Sequence, residues 1–92
     1  MAISVKFPKD GEGFEAEVKI DEDFHLVLKA VHTAVGPVTN IYDATRQRWG
    51  EPGYAGSIDD AKAQAEGIAR GLYKRGHHKG EFPKALDWQP TG

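Results

Sequence analysis

The chain has no cysteine in 92 residues, a single methionine and no long apolar run. Without cysteine there is neither a disulfide nor a thiolate metal site, so the composition does not point to a small secreted scaffold, and a reducing cytoplasm is compatible with it. No stretch approaches the roughly 20 apolar residues that span a bilayer. The start, "MAISVKFPKDGEG", lacks the charged beginning and apolar middle of a signal peptide. These absences lead to the expectation of a soluble, cytoplasmic protein with no membrane partner.

A large charge of one sign is also missing, since the formal net charge is −2. The distribution along the chain is less even. Residues 1–24 hold Asp10, Glu12, Glu15, Glu17, Asp21, Glu22 and Asp23 against Lys6, Lys9 and Lys19, whereas residues 70–84 hold Arg70, Lys74, Arg75, Lys79 and Lys84 against Glu81 alone. Read along the chain, this gradient predicts a bipolar surface, unless both stretches are simply solvated faces.

A chain of this length forms one domain, 1–92, and buries only about 60% of the surface its unfolded form exposes. The core is therefore small, with little room for a deep catalytic cavity. Side chains alternate across a strand, so a half-buried strand reads apolar, polar, apolar. Ile3, Val5 and Phe7 alternate with polar residues, and so do Phe14, Ala16, Val18 and Ile20; "PKDGEG" between them carries turn chemistry, which gives two arms of a hairpin. The next segment is ambiguous. Phe24, Leu26, Leu28 and Ala30 alternate as in a strand, while Phe24, Leu28, Val31 and Val35 sit at helical spacing before Gly36-Pro37. A strand is favoured, because an isolated hairpin is marginal in water and needs a third partner. "VTNIYDA" and "RQRW" supply one or two more strands.

From Ser57 the period changes to that of a helix. Ile58, Ala61, Ala65, Ile68 and Leu72 form one stripe able to lie on the sheet. Ser57 is a good N-cap, with Asp59 and Asp60 at the positive end of the helix dipole, and Gly76 suits the C-terminus. Ala63, Gly67 and Gly71 make a second stripe with almost no side chain, suited to close approach of the protein's own sheet or of a partner's backbone. The predicted fold is α+β. A small antiparallel sheet of three to five strands spans about 2–49, a glycine-rich loop 50–56, and one main C-terminal helix about 57–75. An extended arm, 76–92, follows, with Phe82, Leu86 and Trp88 docking on the body or on a partner.

The residues that carry chemistry are few. His77 and His78 are adjacent, and His25 and His32 lie elsewhere, so no convergent set of metal ligands is expected. Ser57 is explained as a cap, Ser4 has no evident partner, and alternation puts Glu15 and Glu17 in water, where no sheltered acid/base pair forms. "GEPGYAGS" has glycines before a helix but lacks the Gly-Lys-Ser/Thr ending of a phosphate cradle. The chain therefore reads as non-enzymatic, with no cofactor, no metal and no small-molecule substrate.

What remains is a binding surface. "RGLYKRGHHKG" places Arg70, Lys74, Arg75 and Lys79, with Tyr73 beside them, around the end of the helix. Arg46 and Arg48 flank the approach to Trp49, a second cluster of groups enriched at binding hot spots. Two kinds of partner fit. A sheet followed by one helix with basic residues near its end is similar to the arm-binding domains of phage integrases, which would use phosphate contacts for affinity and sheet side chains for reading; the acidic Glu15 and Glu17 face opposes a duplex. In size, lack of cysteine and plan, from "FEAEVKI" to "SIDDAKAQAEGIARGLYKRG", the chain also resembles the small phage-encoded anti-CRISPR proteins directed at type I-F surveillance complexes. That group is united by activity rather than by shared residues, so no site residue is carried over. The resemblance implies a stoichiometric inhibitor that docks on Cas subunits coating a guide RNA, with possible contact to guide-RNA phosphates, and prevents target DNA from pairing.

Overall fold

The computed structural model describes residues 13–76 and 80–91. The first long strand is β1 (Gly13–Asp21), followed by β2 (Phe24–Thr33) and β3 (Gly36–Asp43). Two short strands, β4 (Arg48–Trp49) and β5 (Gly53–Tyr54), precede the helix α1 (Ile58–Gly76), and β6 (Gln89–Pro90) comes last. The sheet is antiparallel, in the order β4-β3-β2-β1-β6, and β5 pairs with the same edge of β3 as β4 does. The α+β plan of an antiparallel sheet and one C-terminal helix thus holds. The strand count passes the predicted three to five, because β5 lies inside the expected glycine-rich loop and β6 inside the expected arm. The arm of the hairpin placed on Ile3, Val5 and Phe7 lies outside the described residues.

Local chemistry sets the turns. At the β1–β2 turn the Asp21 carboxylate accepts the N–H of Asp23 at 2.8 Å, which closes a tight reversal over Glu22-Asp23. Between β2 and β3, Gly36 has φ +114°, a conformation that only glycine adopts without strain. Thr33 Oγ1 donates to the Gly36 carbonyl at 2.8 Å across that turn. The segment that was ambiguous in sequence is therefore a strand. Phe24, Leu26, Leu28 and Ala30 are all buried, as alternation requires, and Leu28 pairs with Ala16 on one side and Ile41 on the other.

The helix lies on the face formed by Val18, Phe24, Leu26, Leu28 and Ile41. Ser57 caps it as expected, its Oγ accepting the Asp60 N–H at 3.0 Å. The buried stripe shares Ala61 and Ala65 with the expected one but turns to Ala69 in place of Ile68 and Leu72. Ala61, Ala65 and Ala69 have no exposed surface, whereas Ile68 is 45% exposed and Leu72 37%. Two contacts rotate the helix this way. Thr39, buried in β3, donates to the Ala61 carbonyl at 2.8 Å and ties the first turn to the sheet. At the other end Tyr73 turns inward, meeting Phe24 edge-on at 6.1 Å and Phe82 at 5.6 Å. The stripe of Ala63, Gly67 and Gly71 does not approach the sheet either: a Cβ added at Gly67 or Gly71 would meet nothing within 4 Å.

The segment after the helix docks on the body along one flank of α1. Phe82, Leu86 and Trp88 pack against the core cluster, Trp88 Nε1 donates to Glu66 at 2.9 Å, and Tyr73 Oη donates to the Gly80 carbonyl at 2.6 Å. Proline at position 90 is tolerated because, among the described residues, β6 lies at the sheet edge and pairs only with Phe14 and Glu15 of β1. The consequence for stability separates two aliphatic residues. Leu28→Ala, at the sheet centre, should cost about 2–5 kcal/mol, whereas Ile68→Ala should cost less than about 1 kcal/mol. Urea denaturation measures both, and equal losses would place Ile68 in the core after all.

Candidate functional site

With the helix on one face, the opposite face of the sheet carries the alternate residues: Glu15, Glu17 and Lys19 of β1, His25, Val27, Lys29 and Val31 of β2, and Val38, Asn40 and Tyr42 of β3. No element among the described residues covers it. Register places Trp49 of β4 beside Tyr42, with ring centroids 5.0 Å apart, and leaves the indole 52% exposed. Lys29 sits between two partners on this face, its Nζ 3.4 Å from a Glu15 carboxylate oxygen and 5.8 Å from the Trp49 ring centroid. Glu17 is hydrogen-bonded to His25 Nε2. The two glutamates expected in water are partly exposed there, and each is also held by a cross-strand neighbour, on a face whose aromatic pair lies toward the β4 edge.

The β3–β4 turn that presents Trp49 is fastened by Asp43. One carboxylate oxygen accepts the N–H groups of Thr45 and Arg46 at 3.0 and 3.1 Å, and the other accepts the Arg46 guanidinium at 3.0 Å. Burial pushes the Asp43 carboxyl up, but the Arg46 backbone N–H and guanidinium, with the Thr45 N–H, outweigh it and hold the group below its ordinary value of 3.8. Gln47 completes the turn at φ 55°.

The expected binding residues fall into three places. Arg46 and Arg48 meet Arg75 from the helix end at an open cleft of about 930 Å³. The floor of that cleft includes Phe24, Leu26 and Leu72, and Asp21, Glu22 and Asp23 stand on the same rim. The charge gradient along the chain is thus not a gradient across the molecule. The β1–β2 turn and the end of α1 arrive at one end of the fold, so acids and bases of opposite ends of the sequence share one cleft. Arg70 and Tyr73 make contacts within the fold: the Arg70 guanidinium lies 4.6 Å from the Phe82 ring centroid and 3.4 Å from the Lys84 carbonyl oxygen, and Tyr73 holds Gly80. Lys74 is exposed on the outer side of the helix, and Lys79, with His77 and His78, lies outside the described residues. Among the described residues no group of three or more His, Cys, Asp or Glu is placed to hold a metal ion, and no helix is long and apolar enough to cross a membrane.

Tyr42 and Lys29 complete the Trp49 cluster without having been singled out from the sequence. Alternation around Ile41 could have put Tyr42 on the outer face. Only the register of β3 against both neighbours brings Tyr42, Trp49 and Lys29 to one spot.

The clasp on the turn has a pH signature. A carboxyl held below its ordinary value stabilises the fold above that value, and the stabilisation fades as pH falls through the folded-state value. Asp43→Asn should therefore melt at a lower temperature than the parent at neutral pH, and the gap should shrink as pH falls below about 4. Thermal melts at several pH values read this directly; a gap unchanged in strong acid would show that the carboxylate charge is not what fastens the turn. No protein-family model, curated protein or solved structure matches the chain.

Proposed function

We propose that this chain is a non-enzymatic binding protein that acts by occupying a macromolecular partner through the uncovered sheet face. The partner that the sequence resemblance implies is a Cas subunit of a type I-F surveillance complex in the host cytoplasm, with target DNA recognition blocked as a result. The observation that supports a protein partner is the cluster of Trp49, Tyr42 and Lys29 on a face of nearly balanced charge. The Trp49 ring is exposed, and Glu15 and Glu17 offset Lys19 and Lys29. Aromatic anchors surrounded by satisfied polar groups suit a desolvated protein interface, whereas duplex binding draws its affinity from net positive charge. Arg46 and Arg48, which line the cleft at the helix end with Arg75, would steer association more than carry affinity.

A second reading, the sheet-plus-helix nucleic-acid-binding module, gains from one feature. Glu15 and Glu17 are paired with Lys29 and His25, so the acids oppose a phosphate backbone less than their number indicates. Salt separates the two readings, since phosphate contacts lose affinity steeply as ionic strength rises.

The test is titration of purified surveillance complex with the parent protein and with Trp49→Ala, which removes an exposed ring and should leave the circular dichroism spectrum unchanged. Inhibition by the parent should saturate near equimolar ratio. The variant should bind about tenfold more weakly or worse. A folded Trp49→Ala protein as inhibitory as the parent would remove the sheet face from consideration, a substoichiometric amount that disables the complex would point to an enzyme, and retention on bulk DNA alone would favour the nucleic-acid module.

A further inference from the structure

On the helix side of the sheet, α1 and the short edge strand β4 leave a groove between them. It has two parts. The narrow part, about 260 Å³, is lined by Ile68 and Leu72 of the helix, by buried Leu26 and Ile41 of the sheet, and by the chain from 48 to 51. The wide part is the cleft of about 930 Å³ at the end of the helix, which Arg46, Arg48 and Arg75 share. Leu26, Asp43, Arg48 and Leu72 line both parts, so the two form one continuous depression.

The groove gathers side chains that the fold leaves unmatched. Ile68 is 45% exposed and Leu72 37%, and both line the narrow part. Arg48 and Arg75 have no hydrogen bond, ion pair or ring contact among the described residues, while Arg46 uses one guanidinium nitrogen on Asp43. A single unpaired arginine on a surface is ordinary. Two of them at the mouth of an apolar hollow are a different case, because a guanidinium grips a carboxylate or phosphate through two parallel hydrogen bonds and the apolar wall beside it shields them from water.

The remaining charges decide between those two anions. Asp21, Glu22 and Asp23 stand on the wide part with the arginines, and Glu51 lines the narrow part alone. A nucleic-acid strand laid along the groove would carry its phosphates from the arginines onto carboxylates at either end. One or two carboxylates held at the arginines alone avoid this. The narrow part takes the apolar portion of the same occupant: a cavity of roughly 150 Å³ accepts a benzene ring, so this one has room for one or two aliphatic side chains. A small molecule usually has most of its surface enclosed, which an open groove does not provide. An extended peptide suits it better, since side chains enter the groove while the peptide backbone stays in water.

We propose that this groove is a docking site for a short segment of another protein in which aliphatic residues stand beside one or two carboxylates. The aliphatic side chains lie against Ile68 and Leu72 in the narrow part, and the carboxylates meet Arg48 and Arg75. The site is on the helix side of the sheet and does not depend on the function proposed for the uncovered face.

A nuclear magnetic resonance titration of the isotope-labelled full chain with the peptide acetyl-Leu-Leu-Glu-Glu-amide, in low salt, provides the test. Saturable shifts should appear at the amides of Arg48, Ile68, Leu72 and Arg75, with a Kd below about 1 mM. Acetyl-Leu-Leu-Gln-Gln-amide, which lacks the charge, and acetyl-Ser-Ser-Glu-Glu-amide, which lacks the apolar part, should each bind at least about fivefold more weakly. Arg48→Gln/Arg75→Gln, with circular dichroism as the folding control, should bind the first peptide about tenfold more weakly and no longer prefer it to its glutamine counterpart. Ile68→Ala, a substitution that costs the fold little, should also weaken binding. The proposal is overturned by a parent that shows no saturable shift at several millimolar peptide, or by three peptides that bind alike, and both of these readings are independent of any variant's folding. Shifts centred on Val27 and Tyr42 would overturn it too, since they would assign the peptide to the uncovered sheet face, as would a folded double arginine variant that binds like the parent.

Discussion

One helix must cover one sheet, and that limit governs the rest of the molecule. The described residues offer a single helical layer, and its contact with β2 and β3 depends on three alanines with no exposed surface and on the hydrogen bond from buried Thr39 to the Ala61 carbonyl. Small side chains on the inner face allow close packing, so the large aliphatics of the sheet, Val18, Leu26 and Leu28, supply most of the apolar volume. A bulkier residue at Ala65 would push the helix away from Leu28, and overpacking of this kind is also destabilising.

Seating the helix on alanine has two costs that the structure meets differently. On one flank the gap is closed by the chain itself. Phe82, Leu86 and Trp88 return along α1, and cations at Lys62 and Arg70 lie over aromatic rings instead of reaching into water. This explains why a stretch rich in basic residues is not wholly available to a partner. On the other flank nothing among the described residues closes the gap, so Ile68 and Leu72 stay partly exposed beside two open glycines.

The second consequence concerns the sheet. With the one helix of the described residues on one side, the other side must remain compatible with water while keeping the strands in register. Cross-strand pairs do this: Glu15 with Lys29, Glu17 with His25, Tyr42 with Trp49. Those pairs stabilise the sheet and at the same time make a face of balanced charge with an aromatic pair toward the β4 edge. A surface of this composition is suited to meeting another protein, which is why the proposed function rests on the face that the fold leaves uncovered.

What the sequence determined by itself was whatever depends on neighbours along the chain. Alternation specified Phe14 to Ile20 as a strand and favoured one from Phe24 to Ala30, where helical spacing competed; period three and four specified the helix, and Ser57 and Gly76 marked its ends. The tertiary structure decided what depends on orientation and register. Periodicity could not distinguish a stripe centred on Ile68 from one centred on Ala65, because the two lie less than a quarter of a turn apart and the choice turns on what covers each flank. It could not show that Arg70 and Tyr73 hold Phe82 and Gly80, contacts that span a loop. Nor could a charge count along the chain reveal that the acidic β1–β2 turn, Arg75 of α1, and Arg46 and Arg48 at the start of β4 meet at one cleft. Strand direction brings them there, since an antiparallel sheet returns alternate turns to the same end and the helix runs back toward it.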